Sequence, residues 1–420
     1  MISRSDLRLA LRELSNADWT IAETSRRSRT LRGTQNNSAI VEDHRSLQHF
    51  TTTLHRDFPV GRGSAQSSFS ADSFTSQGVV AALAQACTAQ IQTPWRMAPP
   101  SAAAQARLDD AALRDPTAMV NMVRALQSAA ASATFDQVEW ELTIGDDTKV
   151  VETSTGNEIR WTTTDYQLGI TAQRAGHWLE TRRCGRQRND IDATQLCLDL
   201  DQELTRLATA VPTPRGPIEL VLDREAMLFD SDLGVWCIVA EQAHLQRLTS
   251  GVSRLPKTVA NSTLRIVSDG ARNFGWRSAP VADDGAPVRR FVLIANGAVV
   301  SRGSNVTDAG RGNNNGLANA NGGVRNLDVS DQGPAWHPPA TYLEVHRFEA
   351  PRMDLATGWL TALIASATLH RGETQTPVIG GAIRVDLVSR LLAGRPRGTA
   401  LTTASYQGPR QIVLGLVPVY

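Results

Sequence analysis

From Val138 to Arg183 the apolar residues recur every second position, in runs at 138–144, 148–153, 158–163, 165–173 and 176–183. A period of two over so many short runs admits only strands. Gly145-Asp146 and Thr155-Gly156-Asn157 stand between runs as turn signals. Connections this short cannot carry the crossover that a parallel pair needs, so the stretch predicts an antiparallel meander. A helix over 191–210 follows and stops before Pro212. The segment PTPRGP, 212–217, then breaks any regular element.

The rest of the chain is read outward from that anchor. Two domains are expected, 1–211 and 212–420, in an α+β fold. The first is mixed α/β with the meander, and the second is β-rich with mixed and antiparallel sheets and few helices. Upstream, Asp115-Pro116 opens a helix as N-cap and first helical residue. Residues 79–91 read as a small-residue helix. Residues 24–38 are rich in Arg, Ser, Thr and Asn and read as a loop or an exposed hairpin, and 61–77 reads as loop. Downstream, Asn296-Gly297 between FVLIA and AVVS predicts a two-residue hairpin turn. Residues 302–333 contain many Gly and Asn and read as a long irregular loop. Strands are expected at 341–348, 359–369, 376–384 and 411–419, with a short helix at 386–393.

Composition narrows the function by exclusion. Charge is balanced at 43 Lys+Arg against 42 Asp+Glu, which argues against a nucleic-acid binder. Only Lys149 and Lys257 are lysines, a bias read as codon usage. The four cysteines, Cys87, Cys184, Cys197 and Cys237, show no CxxC spacing, so neither a disulfide framework nor a zinc ribbon is expected. The first 20 residues hold no continuous apolar run and no stretch is long enough to span a membrane. A cytoplasmic protein is expected.

Local motifs are weak. Gly310 to Gly316 lacks the GK[ST] ending of a phosphate loop. The sequons at Asn261 and Asn305 are read as chance matches. The acidic pairs Asp283-Asp284 and Asp230/Asp232 are read as turn or capping residues. His177 and Glu180 lie at odd spacing on one strand, so they point to opposite faces. Glu241 and His244 lie three apart on a helix and share a face, but a metal needs a further ligand.

The order of segments in the second half is similar to the TldD/PmbA family, in which PmbA is also called TldE. The strand Glu219-Leu220-Val221-Leu222-Asp223 precedes a helix. Ser250 to Leu255, Ala282 to Arg290 and Leu293 to Val299 then follow. Arg325-Asn326-Leu327, Thr357-Gly358 with the strand to Leu369, Gly372-Glu373, and Pro377 to Leu392 complete the order. The resemblance spans about 212–393 and continues more weakly through 108–210. It implies the following. TldD-type subunits carry H-E-x-x-x-H on the helix and a cysteine near the C-terminus, which bind zinc; TldE-type subunits lack them. Here Val239 and Ala240 fall at the first His and the Glu, and only His244 falls at the second His. No cysteine follows Cys237; Ser405 to Gly408 occupies that stretch. One imidazole cannot hold zinc, and without the Glu no base activates water.

The chain is therefore expected to be a non-catalytic TldE-like subunit. It would hold no zinc itself, with zinc in a TldD-like partner that acts on unfolded or leader peptides. Trp336, Arg325, Asn326 and His244 are the partner- or peptide-facing candidates. Trp336 is chosen because three prolines around it predict an exposed, stiff loop. Two other readings stay open: a self-standing metallopeptidase using Glu241, His244 and one more ligand, and a peptide-binding scaffold.

Overall fold

A computed structural model describes residues 2–34, 37–59, 61–91, 96–97, 106–156, 158–229, 233–248, 258–259, 261–283, 285–300, 317–318, 324–334 and 336–420. The fold is α+β, with two large sheets. None of the described helices is long and apolar enough to cross a membrane.

The first sheet has seven strands and every pair is antiparallel. The expected meander is present, with fewer and longer strands: Gln137–Thr153, Glu158–Arg174 and His177–Gly185. Thr155 to Gly156 turns the chain as expected, with Gly156 at φ +84°. Gly145 does not turn it. It sits mid-strand opposite Ser28, and a Cβ there would lie 2.5 Å from the Arg26 guanidinium. The glycine makes room for a cation laid across the sheet.

That cation belongs to a segment expected as a loop or an exposed hairpin. Residues 24–38 lie mainly in the strands Ala17–Thr34 and Asn37–Phe58, which pair antiparallel as the hairpin reading has it. Their polar side chains pair across strands, as in Thr30 Oγ1 to Thr143 Oγ1 at 2.9 Å, so polarity here marks a ladder and not a loop. Likewise Gly61–Ser70 is a strand. A Cβ on Gly63 would meet the Thr88 carbonyl at 2.1 Å, so the small residues allow close backbone approach.

The helices Arg4–Arg12 and Ser76–Ala86 pack one end of this sheet through Leu7, Leu11, Val79 and Leu83. The helices Pro116–Ser132 and Ala193–Leu207 pack the other. Asp115 caps the first of these, accepting from the Thr117 N–H at 2.9 Å.

His55, in the second strand, is fully buried. Burial, with the Arg62 charge as a lesser cause, pushes its pKa down to about 3. The folded imidazole is therefore neutral while the unfolded one protonates below about 6.5. Protons then favour the unfolded chain, so stability falls as pH drops from about 6.5 toward 3, by up to ~1.4 kcal/mol per pH unit. His55→Gln removes this dependence. The gap between wild-type and variant urea midpoints is expected to narrow from pH 7.5 to pH 5; parallel profiles would contradict it.

The chain enters the second sheet at Val211–Pro212, which pairs with Thr374–Ile379. This sheet has twelve strands and mixed pairing: Gly216–Leu222 runs parallel to Thr341–Asp354 and antiparallel to Tyr406–Val419. Its core gathers around Trp236. Asn296-Gly297 forms the expected turn, with both residues at positive φ. Residues 302–316 and 319–323 lie outside the described residues. Asn326–Asp331 is a strand, not loop, because Leu327 and Val329 bury between neighbours on both sides. The expected strand 376–384 is split: Gly380 and Gly381, at φ +79° and +85°, bend the chain before Ala382–Asp386.

Candidate functional site

The helix Cys237–Leu248 follows a single 3-10 turn, Gly234–Trp236. Gly234 is required there: its φ is +56°, and a Cβ would lie 1.9 Å from the Met227 carbonyl oxygen. Trp236, Ile238 and Val239 are fully buried in the core. Gln242, also buried, donates through Nε2 to the carbonyls of Leu355 and Ala356, at 2.5 and 3.0 Å, and so ties the helix to the 354–358 turn. Val239 and Ala240 offer no lone pair to a metal. The side chain of His244 lies outside the described residues. A zinc ion of the kind the resemblance implies for TldD-type subunits does not fit the described part of this helix.

The other sequence candidates separate. Asn326 faces neither partner nor peptide. It is fully buried, donates to the Asp269 carbonyl at 2.6 Å and to Ser278 Oγ at 2.8 Å, and accepts from the Arg277 N–H at 3.0 Å. Its work is to pin the 269–278 segment. Arg325, beside it, is partly exposed, and its backbone N–H donates to Ser268 Oγ at 2.9 Å. Trp336 is half-buried and not free on an exposed loop. Its ring meets Tyr342 edge-on at 5.5 Å, and the Arg397 guanidinium lies over it at 4.5 Å. Neighbouring aromatic and cationic side chains hold it in place.

Between the two sheets lies a cleft of about 1590 Å³. One wall is His177–Gly185, the edge strand of the first sheet. The opposite wall carries Phe229, Phe348 and Leu363. Trp178 and Leu363 are exposed large apolar residues, one from each sheet. Charged pairs hold the walls in register. Arg183 bridges to Glu225, and Arg347 bridges to Glu203 at 3.0 Å while donating to the Glu180 carbonyl at 2.5 Å. Burial works to raise the Glu225 pKa, but the charge and hydrogen bonds of Arg183, with Arg347 and Arg224, outweigh it and hold the carboxyl below its usual range. A sheet edge, apolar anchors and fixed charges in one cleft suit an extended peptide, whose backbone can pair with a strand.

A second constellation escaped the sequence reading. Asp223, Glu344 and His346 bring a carboxylate oxygen, a second carboxylate oxygen and a ring nitrogen within 4.8 Å of one another. Burial works to raise the Asp223 pKa, but hydrogen bonds from His346 and the Arg224 backbone, with the Arg410 charge, hold it well below the usual range. The available signal was the alternation Glu344-Val345-His346, which puts two ligand types on one face of a strand. Asp223 could not be joined to them from spacing, since it lies over a hundred residues earlier.

Residues 218–380 match the family model of the PmbA/TldA metallopeptidase C-terminal domain. No curated protein matches the chain by sequence. Solved structures match over its whole length. TldE from Thermococcus kodakarensis is 15% identical, with 98% of each chain covered and a TM-score of 0.71. A Bacteroides thetaiotaomicron protein described as a candidate modulator of DNA gyrase is 14% identical, with 100% of this chain and 99% of that one covered and a TM-score of 0.73. A Thermotoga maritima protein of the same description is 13% identical, with 99% of each covered and a TM-score of 0.72. At these identities the likenesses establish the fold. Residues 218–380 thus carry a C-terminal domain of the PmbA/TldA metallopeptidase type, on a chain whose whole fold is like that of TldE.

Proposed function

We propose that this chain is the non-catalytic, TldE-like subunit of a heterodimeric zinc metalloprotease. In this reading a TldD-like partner supplies the zinc, the base and the attacking water. The substrates are unfolded or leader peptides, including those of ribosomally made, modified peptides. The observation that carries the reading is the fully buried Val239, with Ala240 beside it, on the helix of a metallopeptidase-type domain. A water-activating site needs ligands and a base at those positions. The interdomain cleft supports the peptide part, because its edge strand and the Trp178 and Leu363 side chains suit an extended chain. Four free cysteines fit a reducing compartment such as the cytoplasm.

The test is reconstitution. The purified chain alone is expected to cleave no unfolded peptide, and co-expression with an HExxxH homologue to give a co-purifying, chelator-sensitive peptidase. Trp336→Ala is expected to weaken that association by about 2 kcal/mol if the residue lies at the centre of the interface. Because Trp336 packs on Tyr342 and Arg397, partner affinity is compared per folded molecule. Peptidase activity from the lone chain, abolished by His244→Ala, would overturn the reading in favour of a self-standing enzyme.

A further inference from the structure

We propose that Asp223, Glu344 and His346 form a binding site for a divalent cation of the zinc type, distinct from the 237–248 helix. The three residues come from two neighbouring strands. Asp223 ends the strand Gly216–Leu222, which runs parallel to Thr341–Asp354, with Leu222 opposite Val345. Leu343 and Val345 join the core around Trp236, so Glu344 between them points to the other face. The fold thus carries one carboxylate to the end of a strand, beside a second carboxylate and an imidazole on its neighbour.

The geometry can take an ion in place of the proton between Asp223 and His346. Asp223 Oδ2 and His346 Nδ1 are 3.4 Å apart. That is long for a hydrogen bond, which prefers about 2.7–3.2 Å. It matches the ligand-to-ligand edge of a tetrahedron with bonds of about 2.0–2.1 Å, which is about 3.3–3.4 Å. The other ring nitrogen, His346 Nε2, is 2.8 Å from Thr368 Oγ1. With Nε2–H donating to that hydroxyl, Nδ1 is left as a lone pair facing Asp223. This is the tautomer a metal requires; in the other, Nδ1–H donates to Asp223, and a cation takes the place of that proton.

The carboxylates are held as ligating carboxylates usually are, by donors behind them. Asp223 Oδ1 accepts from Gln411 Nε2 and Arg410 Nε, both at 3.3 Å, which leaves Oδ2 toward the imidazole. Gln411 also donates to Glu344 Oε1, so one amide sets both acids. His370 Nε2 lies 3.0 Å from Glu344 Oε2, and Tyr342 stacks on that ring at 4.1 Å and 6°. The three side chains are largely but not wholly buried, 10–17% exposed, so an ion has an entry path. Two carboxylates and one imidazole leave a fourth position open to water. Thr368, His346 and Asp223 also stand in the order of a hydrolytic relay, but the threonine is buried in mid-strand, where a substrate carbonyl does not reach it.

None of the three residues belongs to the helix on which the non-catalytic reading rests, so either can fail alone. Calorimetry with Zn²⁺ on the full chain, backed by Co²⁺ absorption, reads it directly. One equivalent is expected to bind, and Asp223→Asn, Glu344→Gln and His346→Gln, near-isosteric changes, are each expected to weaken binding about 100-fold or more. Circular dichroism identifies any variant that fails to fold, leaving the other two to decide. His244→Ala is expected to bind as wild type. Absence of Zn²⁺ binding by wild type, or folded Asp223 and Glu344 variants that bind equally well, overturns the proposal. Binding lost with His244→Ala and kept with Asp223→Asn overturns it too, and moves the metal to the helix.

Discussion

Arg26→Met is expected to destabilise the protein by about 3–5 kcal/mol, the cost of stranding buried charges whose partner is removed. Arg26 reaches across three adjacent strands. Its guanidinium donates to both oxygens of Asp165, at 2.7 and 2.8 Å, and to Asp147 at 3.2 Å. Both acids are nearly buried, 7% and 12% exposed. Without the cation they face each other in a poorly solvated place, with the buried Arg186 and, for Asp147, Lys149 left to offset them. The measurement is a urea titration of the single variant and of Arg26→Met/Asp165→Asn. The double variant is expected to recover part of the loss, because one stranded charge is gone. A single-variant loss under about 1 kcal/mol would show that water screens the site.

Trp236→Ala is expected to cost a similar ~3–5 kcal/mol, here through a cavity. The indole is among the largest fully buried side chains and sits at the entry to the 237–248 helix. Gly234, with its positive φ and the Met227 carbonyl against it, fixes the backbone just before it. The backbone there has little freedom to collapse into the space, so the cavity persists. Thermal unfolding measures the loss. Amide exchange is expected to speed most along this helix, since its seat is what the mutation removes. Uniform acceleration across both sheets would instead mean that the helix opens only with the whole molecule.

Two lessons about the sequence follow from these residues. Arg26 lay in a polar stretch read as a loop or an exposed hairpin, and Gly145 was read as a turn because it is glycine. Each reading used a local preference. The cation and the glycine are one device: the strand carries a residue without a side chain so that a side chain from its neighbour can cross it. Neither half predicts the other, because the contact is made by pairing Ser28 with Gly145 across the sheet. The same limit hid Asp223 from Glu344 and His346.

By itself the sequence determined the elements that local physics dictates. The period-two runs gave the antiparallel sheet, Asp115-Pro116 the start of a helix, and Asn296-Gly297 a hairpin turn. The order of segments in the second half gave the resemblance to the TldD/PmbA family, and with it the expectation that Val239 and Ala240 stand where a TldD-type site has its ligand and base. These are properties of neighbours in the chain. Only the tertiary structure decided that Asn326 is a buried pin, that Trp336 packs on Tyr342 and Arg397, and that a cleft opens beside the edge strand His177–Gly185. The reason is common to all of them. Burial and the meeting of charges depend on distances between strands far apart in the chain, and pairing register sets those distances.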